Sequence, residues 1–127
     1  MPRESSQGGP GDRERMQHML DAARDVATIV SGKTIAELDS DMITRRALLN
    51  ALQEIGEAAA RVGDEGRRRT PTLAWGKIVA TRNILVHVYW GVDHEQIWKM
   101  ATINVPEMIA ALEAAFVDWP MGGTTTE

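Results

Sequence analysis

Met16, Leu20, Ala23, Val26, Ala27 and Val30 follow one another at spacings of three and four, and so do Leu48, Leu52, Ile55, Ala59 and Val62. A stripe with that period runs down one face of an α-helix and must be covered by another element. Two such stripes within the first half of the chain commit it to packing helix on helix. Asp12 is the expected cap of the first helix, which runs to about Ser31 and stops at Gly32. Thr34 with Glu37 forms a capping-box pattern over a short turn. Asp39, Ser40 or Asp41 then opens a second long helix reaching Val62, with Gly63 as its stop.

The segment DEGRRRTPT carries Gly66 and Pro71 and no period, so it reads as a loop. A third helix is expected from about Thr72, with Trp75, Ile78, Val79, Leu85, Val86 and Tyr89 on one stripe. Its end, ILVHVYW, is rich in strand-favouring residues. No other segment resembles a pairing strand, so the stretch reads as helix with an irregular end. Asp93 with Gln96 repeats the capping pattern before Ile97, Trp98 and Ala101. Pro106 suits the first turn of a last helix carrying Met108, Ala111, Leu112, Ala115 and Phe116, with Trp119 beyond it. The sum is an all-α bundle of about four or five helices over residues 12–119. Residues 1–11 read as a disordered N-terminal tail and 120–127 as a flexible C-terminal tail.

Composition narrows the function. At 127 residues, 43% hydrophobic and 25% charged, the chain has material for one core. Zero cysteines exclude a disulfide framework, a thiolate metal site and a cysteine nucleophile together. The opening MPRESSQGGPG has no apolar core of a secretory signal. No run approaches the ~20 apolar residues of a membrane span, so a cytoplasmic setting with no membrane partner is the expectation. The net charge of −4 argues against a protein that coats nucleic acid non-specifically. Yet residues 61–82 hold six basic side chains (Arg61, Arg67, Arg68, Arg69, Lys77 and Arg82) against Asp64 and Glu65. That segment carries +4 and the rest of the chain −8.

Arg82 interrupts the third stripe. Stepping back from Tyr89 by threes and fours, every position is apolar or aromatic except this one. A guanidinium on a buried-looking face needs an acidic partner, a subunit boundary or an anionic ligand. An ion pair to Glu54 or Glu57 on the second helix accounts for it as well as a ligand does. His87 lies five residues on, ~140° around a regular helix, so the two side chains should not meet unless the helix bends or a dimer axis brings them together. Asn83, four residues before His87, shares its face and suits a hydrogen bond that orients the imidazole. Read from the residues alone, a histidine placed like His87 is more often a packed core or interface residue than a catalytic one.

The run RNILVHVYWGVD, from Arg82 to Asp93, resembles the signature of the HepT-like ribonucleases of the HEPN superfamily: an arginine, a spacer of four to six residues, and a histidine. The likeness continues as His-x-Tyr through His87 and Tyr89, upstream in NALQEIGEAA (Asn50 to Ala59), and in PTLAWGKIVATRN. It extends over about residues 13–118. It implies a HEPN-type helical bundle, a symmetric homodimer with the motif at the subunit boundary, and metal-independent cleavage of RNA with no cofactor.

Under that resemblance, Arg82 and His87 are the catalytic pair, with Asn83 in support. A neutral imidazole, whose unperturbed pKa is ~6.5, takes the proton of a ribose 2′-hydroxyl, and the guanidinium stabilises the phosphorane that forms. No metal is called for, and His18, His87 and His94 show no metal-ligand spacing with carboxylates. Arg67, Arg68 and Arg69 are candidate phosphate contacts at the rim, or simply a solvated face. The resemblance also implies an MNT-type nucleotidyltransferase antitoxin that attaches AMP to Tyr89, the one tyrosine present. The competing expectation is a non-catalytic HEPN module that binds a nucleotidyltransferase.

Overall fold

The computed structural model describes residues 11–88 and 94–121, with the side chains of residues 83–88 outside the description. Its helices are α1 (Asp12–Val30), α2 (Ile35–Ser40), α3 (Met42–Ala60), α4 (Asp64–Arg69), α5 (Trp75–Val88), α6 (His94–Lys99) and α7 (Val105–Val117). A π-helical segment, Met100–Asn104, joins the last two. No strand occurs among the described residues, in keeping with the all-α expectation. The tails expected at 1–11 and 120–127 lie largely outside the described residues.

The apolar stripes assemble as their spacing requires. α1 packs against α3 on one side and α7 on the other, and α3 packs against α5. Met16, Met19, Val26, Leu38, Leu48, Ile97 and Leu112 are fully buried at the centre. Each large apolar side chain taken from water in this way contributes ~1.5–3 kcal/mol. Gly32 ends α1 with a positive φ of 74°, a left-handed position that glycine adopts without a side-chain clash.

Asp41 proves to be the cap of α3, its carboxylate accepting the backbone N–H of Ile43 at 3.0 Å and of Thr44 at 3.2 Å. The capping pattern after Thr34 is also present: the Glu37 carboxylate accepts the Thr34 backbone N–H at 2.8 Å. The element it opens is a six-residue helix rather than a turn.

Three expectations are corrected. Asp12 does not cap its own helix, since Gly11 holds that position. Its carboxylate instead accepts the backbone N–H groups of Gly63 and Gly66, each at 2.9 Å. That contact explains the second correction, because DEGRRR is helix α4 rather than loop. Gly63 at its N-cap has no side chain to offer, and Asp12 supplies the missing acceptor from α1.

The third concerns the approach to the last helix: Pro106 stands in the first turn of α7, as expected, but no break separates α7 from the helical segments before it. In a regular α-helix the proline ring would collide with the carbonyl four residues back. Here the wider turn precedes it, with the Val105 N–H donating to the Met100 carbonyl, and the helical path continues. The resulting run, His94–Val117, is 24 residues long and, by length and composition, apolar enough to cross a membrane. The expectation that no run approaches the length and apolarity of a membrane span is corrected by this segment. Its Ile97, Ala101, Val105, Met108 and Leu112 are buried in the core.

Candidate active site

Helix α5 holds the two candidate catalytic positions, and its start is anchored firmly. Trp75 is buried, its indole N–H donating to the Thr70 carbonyl at 3.3 Å, and the Arg67 guanidinium covers the ring at 5.4 Å from its centroid. Two turns further on, ~10 Å along the axis, stands Arg82.

Arg82 is exposed, although its place in the stripe predicted burial. The reason lies beneath its stem. A Cβ added to Gly56 of α3 would stand 2.8 Å from Arg82 Cγ, 3.5 Å from Cδ and 3.1 Å from Thr81 Oγ1. The methylenes therefore rest against bare backbone while the guanidinium reaches water, the usual way a long cationic side chain occupies an apolar face. No ion pair to Glu54 or Glu57 forms among the described residues. Those two carboxylates line a polar groove between α1 and α3, together with Asp21, Asp25, Arg15 and His18. The Thr81 hydroxyl is turned back to donate to the Ile78 carbonyl at 2.6 Å.

Between Arg82 and His87 the backbone is regular α-helix, and it stays so through Val88. The irregular end expected for residues 84–90 falls beyond Val88, outside the described residues. Positions 82 and 87 are thus ~140° apart around one axis, while 83 and 87 share a face. The side chains of Asn83 and His87, and all of Tyr89, lie outside the described residues.

The three arginines of α4 are not equivalent. Arg67 donates to the carbonyls of Val62 at 3.1 Å and Ala59 at 3.4 Å, tying α4 back to the end of α3, where the Ala59 carbonyl also accepts the Val62 backbone N–H at 3.1 Å. Arg69 lies 4.2 Å over the Trp119 ring and 3.7 Å from Glu65. Arg68 points to solvent and has no such engagement among the described residues. Arg67 thus holds the start of α5, about two turns from Arg82, rather than standing beside it.

On the other flank of α5, a cleft of about 770 Å³ separates it from the π-helical segment and α7. Ile55, Ile78, Met100 and Met108 form its floor, with Lys77 and Lys99 among its lining residues. Thr81 also lines it, so the cleft approaches Arg82 to within one residue.

Sequence reasoning missed Gly56, which sits inside IGEAA. A glycine in mid-helix, where alanine is favoured by ~1 kcal/mol, signals a close approach, and that signal was available.

The fold thus presents an all-α bundle with an exposed arginine five positions before a histidine on the same helix. The Ribonuclease HepT-like family profile matches residues 19–115, and the chain belongs to that family. A Methanocaldococcus jannaschii protein provisionally named an RNase is 32% identical over 95 residues, covering 75% of this chain and 87% of its own. A Thermococcus cleftensis protein, provisionally named ribonuclease HepT, is 32% identical over 73 residues, 58% of this chain and 66% of its own. A third, from Caldanaerobacter subterraneus and again provisionally an RNase, is 28% identical over 96 residues, 76% and 86% of the two chains. No solved structure matches.

Proposed function

We propose that this protein is a metal-independent endoribonuclease that acts as a symmetric homodimer in the cytoplasm and serves as the toxin of a toxin–antitoxin pair. The observation that carries the reading is Arg82: an exposed guanidinium, without an ion pair among the described residues, held on the helix that bears the family's arginine–histidine spacing.

In the reaction, His87 removes the proton of a ribose 2′-hydroxyl, and the 2′-oxygen attacks the neighbouring phosphorus. Arg82 donates charge-assisted hydrogen bonds to the non-bridging oxygens as negative charge builds on them. The 5′-oxygen then leaves, protonated by water, giving a 2′,3′-cyclic phosphate and a 5′-hydroxyl, and the His87 imidazolium returns its proton to the solvent. Asn83 holds the imidazole in the tautomer this step needs. Exposed Arg68 meets the flanking phosphate backbone, and Arg67 and Arg69 contribute their charge from fixed positions.

Silencing by a nucleotidyltransferase partner follows from the same chemistry. AMP attached to Tyr89, seven residues along from Arg82, brings a phosphodiester that occupies the guanidinium and excludes RNA.

The test is cleavage of RNA by purified protein in EDTA, beside Arg82→Ala and His87→Ala, with product ends examined for the cyclic phosphate. Loss of cleavage in both variants supports the enzyme. Equal cleavage by all three, or an absolute need for divalent metal, overturns it and leaves the non-catalytic binding module as the better reading. Co-expression with an MNT-type nucleotidyltransferase should add the mass of AMP to the wild type and not to Tyr89→Phe.

A further inference from the structure

We propose that Gly56 is a positioning residue for Arg82: its missing side chain is the seat on which the arginine stem lies, and that seat aims the guanidinium. This inference rests on the reading of Arg82 as the phosphate-stabilising group, and it assigns a working role to a residue on a different helix.

The geometry is specific. The two atoms that a Cβ at position 56 would crowd most are Arg82 Cγ at 2.8 Å and Thr81 Oγ1 at 3.1 Å, so Gly56 fits into the notch between two adjacent side chains of α5. Cγ lies near the root of the arginine, not at its flexible tip. Displacing it requires rotation about the first side-chain bonds, or separation of α3 from α5, and either motion is amplified at the guanidinium. Those methylenes rest on helical backbone, so the head is confined by contact even though it forms no ion pair among the described residues. A group that must meet a phosphorane gains from such confinement, because misplacement by about 1 Å can cost ~10²-fold in rate.

A second glycine provides the control. A Cβ on Gly66 would stand 2.7 Å from Val62 Cγ1, 2.9 Å from Met16 Sδ and 3.0 Å from Asp12 Cβ, an equally tight fit whose three nearest atoms all lie off α5. Gly56→Ala and Gly66→Ala should both lower Tm. Assayed well below both melting temperatures, Gly56→Ala should lose on the order of ten- to a hundredfold in kcat with little change in KM, and Gly66→Ala should retain near wild-type kcat. Combining Gly56→Ala with Arg82→Ala should cost no more than Arg82→Ala alone, since both changes act through one group.

The NMR signal of the Arg82 Nε–H, which does not depend on turnover, should shift in Gly56→Ala and stay in place in Gly66→Ala. Equal kcat losses in the two glycine variants, or an unmoved Arg82 signal in Gly56→Ala, overturn the proposal. If Arg82→Ala itself cleaves as well as wild type, the reading of Arg82 as the phosphate-stabilising group fails, and the NMR comparison still decides whether Gly56 seats the side chain. Should Gly56→Ala not fold, Gly56→Ala combined with Thr81→Ala removes the second overlap and carries the same measurements.

Discussion

The carboxylate of Asp12, in the first turn of α1, accepts the backbone N–H of Gly66, 54 residues away, at 2.9 Å, and that of Gly63 at the same distance. One side chain thereby starts a helix to which it does not belong. α4 is six residues long and has no N-cap side chain, so it depends on this acceptor. Asp12→Ala should lower stability by ~1–2 kcal/mol, the usual loss for a helix cap, and Tm by roughly 5 °C. Thermal unfolding followed by circular dichroism checks it, and an unchanged Tm would show that α4 stands without Asp12.

Because Arg67 ties α4 back to the end of α3 and covers Trp75, whereas Arg68 faces water, the two should separate under mutation. Arg67→Ala should cost ~1 kcal/mol or more of stability through lost hydrogen bonds and ring contact. Arg68→Ala should leave Tm within a degree or two, and weaken RNA binding modestly with a shallower salt dependence. Binding titrations across a series of salt concentrations, set beside melting curves, distinguish the two effects. A large Tm loss in Arg68→Ala would contradict the assignment.

The bundle was legible because helical period and burial are local consequences of sequence. Leu48, Leu52, Ile55 and Ala59 declare a face, and α3 presents that face to the core. What stayed hidden depended on contacts between distant segments. The α4 segment has no period of its own and is helical because Asp12 reaches it. The stripe put Arg82 inside because periodicity assigns a whole residue to one side, while a long stem on Gly56 lets the charged end escape. Pro106 was legible as a first-turn residue of α7, but the π-turn that joins that helix to the one before it leaves no mark in the spacing. His87 was singled out through the family resemblance, since nothing in its spacing distinguishes a base from a packed histidine.

Acid should expose the cap of α3. The Thr44 hydroxyl, followed by the backbone N–H groups of Thr44 and Ile43, holds the Asp41 carboxyl below the ordinary aspartate value of 3.8. A folded-state pKa below the unfolded one means the folded protein prefers the ionised carboxylate. Its contribution is therefore complete above pH ~4 and is lost as the pH falls through the lowered value. Asp41→Asn should have a lower Tm than wild type at neutral pH, and the gap should narrow as the pH falls below about 4. Melting curves across that range check the sign, and a gap that widens on acidification would refute it.

The regular helix between Arg82 and His87 makes the dimer testable by mixing. With positions 82 and 87 ~140° apart on one axis, an active pair is expected to take Arg82 from one protomer and His87 from its partner. Arg82→Ala and His87→Ala homodimers each lack one member at both sites and should be inactive. In a mixed dimer, the His87→Ala chain supplies Arg82 and the Arg82→Ala chain supplies His87, so one site of the two is whole. Random exchange places about half of all chains in mixed dimers, and cleavage should return to about a quarter of the wild-type rate per chain. If instead each protomer completes its own pair, every site in the mixture lacks a residue and no activity returns. Unfolding and refolding the two variants together, then assaying RNA cleavage, therefore decides between a site shared across the two-fold axis and one built within a single chain.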